Sequence, residues 1–190
     1  MILRFVHGLD RFLRDRSLYF DLSSYRLHGN IKHIEGDSAV LDVEVTALLE
    51  EFRQDLDWLE PVEGAADALR LISRQANIVV LSNVPEAQAG ARTRNLASCR
   101  MDFPLVCNSG PKGPAVKELS ARAGRPVFFI DDIGPNLVSV AESAPHVFRI
   151  HLVGDERLKS VVPVCEQAHL RAADWDDARE FILARLAEAD

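Results

Sequence analysis

Residues 126–136, reading PVFFIDDIGPN, constrain the fold more than any other stretch of this chain. Four apolar residues, Val127, Phe128, Phe129 and Ile130, run straight into two adjacent carboxylates, Asp131 and Asp132. A short apolar run rich in aromatic and β-branched residues reads as a buried strand. Carboxylates are costly to bury inside such a strand, so the pair belongs at its end. In an open α/β sheet the carboxyl ends of the strands are where ligands bind. Two acids there exceed what solvation needs, and a hard cation such as Mg²⁺ is the usual reason.

The matching groups lie upstream. Residues 77–83 form a second apolar strand that ends in the hydroxyl of Ser82, followed by Asn83. Lys112 sits in a Gly/Pro loop, SGPKGP, ahead of a helical stretch; Lys117, one helical turn on, is its rival. The rigid Gly/Pro frame restrains where the Lys112 side chain goes. A hydroxyl, an amine and a diacid on strand-end loops compose a phosphate site with a metal. In order and spacing these residues resemble the haloacid dehalogenase (HAD) superfamily of phosphohydrolases. Ser82 looks like its second motif, Lys112 its third and Asp131-Asp132 its fourth, and Asn136 falls where many members carry Asn after the two acids. The resemblance covers residues 61 to 153.

The resemblance implies an α/β fold, a three-layer Rossmann-like parallel sheet of the HAD type with a small or absent cap. It further implies Mg²⁺-dependent hydrolysis of a phosphomonoester through a phosphoaspartate. Ser82 and Asn83 would hold the phosphoryl group, and Lys112 would neutralise developing charge. Asp132 would bind the metal, and Asp131 would bind or orient it. The attacking aspartate is expected at the end of the first sheet strand, with a second Asp two residues later as the acid. Asp21 in SLYFDLSS follows an apolar run and precedes a hairpin, which suits a nucleophile and metal ligand, but Ser23 occupies the acid's position. Asp42 in AVLDVEVT offers Glu44 as the acid and Thr46 beyond it, yet runs directly into an apolar helix. Serine has no accessible pKa for acid work near neutral pH, so turnover through Asp21 would be slow. The alternative is a HAD-like chain that senses phosphate or binds a protein without turnover.

The chain of 190 residues suits one domain, with residues 25–60 as a flap or small cap insertion. Its net charge of −7 argues against nucleic acid and anionic membranes as partners and is unhelpful for the small phosphorylated molecule that the resemblance implies. Any anion site must therefore be made locally. Cys99, Cys107 and Cys165 form no CxxC and are odd in number, which reads as reduced thiols and a cytoplasmic setting. No run of apolar residues is long enough to span a bilayer, and the N-terminus lacks the pattern of a signal peptide.

Along the chain, helical periodicity covers residues 62–75, 85–96, 114–123, 136–143 and 178–189. Strands are expected at 78–81, 103–107, 127–130 and 147–152, with Gly124 capping the helix before the third. This alternation implies a parallel sheet covered on both faces. Upstream, residues 17–20 read as a strand, 25–34 as a hairpin around His28-Gly29-Asn30, and 46–59 as a helix. The first sixteen residues are compatible with an amphipathic helix. The six histidines show no metal-like spacing and read as surface or packing residues.

Overall fold

The computed structural model describes residues 2–189. Leu9 and Leu13, one turn apart, are wholly buried on α1 (Phe5–Arg14), which establishes the amphipathic helix at the N-terminus. β1 (Leu18–Phe20) follows and pairs antiparallel with β2 (Ile31–His33), in the register Leu18↔His33 and Phe20↔Ile31. The hairpin therefore begins one strand earlier than residues 25–34. His28-Gly29-Asn30 closes the connection, with Gly29 at a φ of 82°. α2 (Asp42–Gln54) starts four residues before its expected position and places Asp42 in its first helical turn. Leu9, Leu13, Phe20, Ile31, Val45, Leu49 and Phe52 gather into one cluster drawn from residues 9–59. The expected insertion over residues 25–60 thus shares its core with α1 and β1.

From α3 (Ala65–Ile72) onward the chain alternates strand and helix. It runs through β3 (Val80–Ser82), α4 (Ala89–Ser98), β4 (Leu105–Cys107), α5 (Gly113–Ser120), β5 (Phe128–Asp131), α6 (Gly134–Ser143), β6 (Phe148–Leu152), β7 (Leu170–Ala172) and α7 (Trp175–Ala187). Prolines in the first turn fix the starts of α5 and α6, where the missing N–H is no loss. Asp174 Oδ1 accepts the Asp177 N–H at 2.9 Å and caps α7. Gly124 caps nothing: α5 ends at Ser120 with Ala121 in right-handed conformation. β7 had no signal in the sequence, being three residues of which two are only half-buried.

The strands are parallel, as the alternation requires, and the protein is mixed α/β. They are not one sheet. β3 pairs with β4, and β5 with β6 and then β7, while β3 and β5 share no ladder. β1, expected as the first strand of the parallel sheet, pairs only with β2 among the described residues. Both parallel sheets feed the same two cores. Val80 and Leu105 join Phe128, Ile130, Ile150 and Leu152 against α3 and α7. Leu81 joins Val127 and Phe129 against α5 and α6.

Candidate functional site

The carboxyl ends of β3 and β5 and the start of α5 meet at the mouth of a cavity of about 970 Å³. Ser82, Asn83, Lys112, Asp132 and Asn136 all line it. β5 delivers Asp131, which is fully buried, and the turn after it supplies the carboxylate's partners. Its Oδ1 accepts the Ile133 N–H at 2.8 Å and the Asn136 Nδ2–H at 3.2 Å. Its Oδ2 accepts from Lys112 Nζ at 2.8 Å.

Lys112 reaches this point because its helix packs closely on α6. An added Cβ on Gly113 would lie 2.1 Å from the Ser139 carbonyl oxygen, so only glycine permits this approach. The Gly113 N–H also donates to Ser139 Oγ at 3.1 Å. Lys112 is 5% exposed, with its ammonium 5.8 Å from the Phe129 ring centre. The ammonium is thus held by one carboxylate while still lining the cavity.

Ser82 ends β3 as expected, and its hydroxyl takes no hydrogen bond among the described residues, so it is available to a ligand. The side chain of Asn83 is committed elsewhere. It donates to the Gly110 carbonyl at 3.0 Å and accepts from Asn108 Nδ2 at 2.6 Å. That network ties the loop after β3 to the loop after β4, which makes Asn83 a framing residue rather than a phosphate donor through its amide.

Both oxygens of Asp131 already accept from protein donors, which suits an orienting role. Asp132 lines the cavity and is the carboxylate that would hold Mg²⁺. Mg²⁺ commonly keeps several waters and takes one or two carboxylates plus substrate phosphate oxygens, and the donor set fits that mode. A closed protein cage is not formed: the described residues include no group of three acidic, His or Cys side chains able to hold a metal.

Asp21 is not at this cluster. It ends β1 on the hairpin, where its carboxylate pairs with Lys32 Nζ at 2.7 Å and accepts the Ser23 N–H at 3.1 Å. The Lys32 hydrogen bond holds its carboxyl below the usual carboxylate range. Asp42 lies in the first turn of α2, where a carboxylate complements the helix dipole. Neither lines the cavity.

Two groups at the cavity carried little sequence signal. Arg92 on α4 has its Nε buried without a partner, and so does the Oε1 of Gln88 one turn earlier. Burial pulls the Arg92 guanidinium below its usual range, with Asp57 opposing. Their spacing of four residues was the sole hint that they share a face. Among the histidines, His151 is fully buried on β6, its Nε2 3.2 Å from the Asp132 carbonyl oxygen. Cys99, Cys107 and Cys165 are free thiols, and no helix among the described residues is long and apolar enough to cross a membrane. The chain matches no family model, no curated protein and no solved structure.

Proposed function

We propose that the cavity mouth is a phosphoryl site of the HAD type, serving Mg²⁺-dependent hydrolysis of a small phosphomonoester; a phosphoaspartate route would require the Asp21 hairpin to be brought to the mouth. The observation that carries this reading is the buried Lys112 ammonium, held on Asp131 at the same mouth as the free Ser82 hydroxyl and Asp132. A cation fixed in a poorly hydrated site is worth more to a transferring phosphoryl group than one in water. Ser82 would donate to a phosphoryl oxygen, Lys112 would offset charge on the same group, and Asp131 would hold Lys112 in place. When bound through Asp132, Mg²⁺ would supply Lewis-acid stabilisation of the phosphoryl oxygens.

A second reading, in which the chain holds a phosphorylated ligand without turnover, is favoured by the position of Asp21. Among the described residues, Asp132 is the one carboxylate that lines the cavity. One pair of measurements separates the two. Phosphate binding by calorimetry, with and without Mg²⁺, tests the site; release of phosphate from an aryl phosphate tests turnover. Binding that needs Lys112 and Mg²⁺, with turnover, supports hydrolysis, and the same binding without turnover supports the second reading. Absence of any phosphate binding in the presence of Mg²⁺ rejects both.

A further inference from the structure

The cavity is lined by residues 75–85 without a break and by residues 122–130 without a break. Successive side chains of a strand point to opposite faces, so a cavity that touches every residue in turn runs along the strand's edge. Here it runs along two edges, those of β3 and β5. The ladder bonds show which groups those edges carry. Val80 N–H donates to Pro104 and the Ser82 carbonyl accepts from Asn108, so Val80 and Ser82 face β4. Val127 accepts from Phe148, so the odd-numbered residues of β5 face β6. By the alternation of a parallel ladder, the amides and carbonyls of Val79 and Leu81, and of Phe128 and Ile130, point into the cavity.

Backbone groups facing an apolar space demand partners. Burial makes the same demand. β6, paired on both sides, is buried at four of its five residues; β3 has no buried residue, and Val79 before it is 42% exposed. Parallel strands are normally covered on both faces and at both edges. The two sheets already agree on which residues face which helices, as Val80 sides with Ile130 and Leu81 with Phe129. They behave as two halves of one layer with the cavity between them.

We propose that this cavity is the seat of one further β-strand, parallel to β3 and β5, supplied by polypeptide N-terminal to these 190 residues. Direction identifies the source. α3 leads down to the start of β3, so the beginning of α3 lies at the carboxyl ends of the strands. The segment entering α3 pairs with the segment entering α1: Leu3 bridges Pro61, Val62 N–H donates to the Ile2 carbonyl at 3.0 Å, and Arg4 N–H donates to the Glu60 carbonyl at 2.8 Å. Ile2 and Leu3 themselves line the cavity. A parallel strand finishes at the carboxyl ends, which is where Ile2 begins its path. About six apolar residues, at ~3.3 Å each, would run the length of 77–82. A strand so placed joins the two sheets into a single three-layer α/β arrangement.

Amide hydrogen exchange tests this directly. In the 190-residue chain the amides of Val79, Leu81, Phe128 and Ile130 should exchange freely, while Val80, bonded to β4, is protected. In the protein translated with its natural preceding codons, the first four should slow by roughly tenfold or more, the factor that follows from about one hydrogen bond's net free energy. Protection of those four in the short chain as a monomer overturns the proposal. So does protection that appears only as the short chain dimerises, which assigns the seat to a second copy. Their free exchange in the longer protein, or the absence of preceding codons in frame, overturns it equally. Thermal unfolding of the two forms gives a second readout: the longer form should unfold at the higher temperature, and equal midpoints would count against a strand in the seat.

Discussion

Lys112 and Asp131 form an ion pair whose side chains are 6% and 1% exposed. Taking both charges out of water is costly, and the pair is tolerable because Ile133 and Asn136 satisfy the other carboxylate oxygen. Removing one partner strands the other. Lys112→Ala should therefore lower unfolding free energy in urea by about 3–5 kcal/mol, the cost of an uncompensated buried charge. Lys112→Met combined with Asp131→Leu should recover much of that loss while abolishing phosphate binding. If the single substitution costs no more than an exposed lysine would, the pair is not buried as described. Lys112 was legible because a Gly/Pro frame singled it out from Lys117. Its contact with Asp131, rather than with a ligand alone, was not, because spatial pairing across nineteen residues leaves no local mark. Asn83 shows the same limit: its neighbour Ser82 marked the right loop, but the Asn108 and Gly110 contacts that engage its side chain come from the loop after the next strand.

Elements carry the second set of consequences. The approach of α5 to α6 depends on Gly113, since a Cβ there meets backbone and not a flexible side chain. Gly113→Ala should destabilise by about 1–3 kcal/mol through forced backbone movement. It should also weaken phosphate binding, because Lys112 immediately precedes it. Loss of stability with unchanged phosphate affinity would show that Lys112 is positioned without α5. On the β6 side, His151 and His169 are both pulled below the usual histidine range, His151 by burial and then Arg171, His169 by burial and then Arg149. The folded protein therefore binds these protons less readily than the unfolded chain. Above an unfolded value of about 6.5 both states are neutral and pH has no effect through these groups. As pH falls through that value, the unfolded state gains protons first and stability declines towards the lowered folded values. Urea titrations between pH 7 and 5 should show this fall, and His151→Gln with His169→Gln should flatten it. An unchanged slope in the double variant would assign the decline to other groups.

Across the whole molecule, apolar runs and helical spacing made the strand–helix alternation from α3 to α6 readable, along with the placement of Ser82 and Asp131 at strand ends. The first sixty residues were harder because their two short strands pair antiparallel across a long connection, outside the strand–helix alternation that made the equally short β3 and β4 readable. The division of the parallel strands into two sheets was illegible for a different reason: an apolar strand does not encode whether its neighbour is present. That division bears on the role of Asp21. β1 was expected in the sheet because an apolar run precedes the carboxylate, yet Leu18 and Phe20 bury into the cluster formed with α1 and α2. Asp21 is then carried on a hairpin, paired with Lys32, and Asp132 stands at the cavity mouth with Ser82 and Lys112. The two carboxylates should separate experimentally. Asp132→Asn should weaken Mg²⁺ binding and Mg²⁺-dependent phosphate binding. Asp21→Asn should leave both bindings unchanged and lose only the Lys32 ion pair, which, being solvent-screened, contributes little to stability. Calorimetry of both variants decides the matter. A beryllium fluoride and Mg²⁺ soak that placed its adduct on Asp21, or an Asp21→Asn variant that no longer bound phosphate, would bring the hairpin to the mouth in the working protein. The reading of Asp21 as the attacking group would then stand over the arrangement described here.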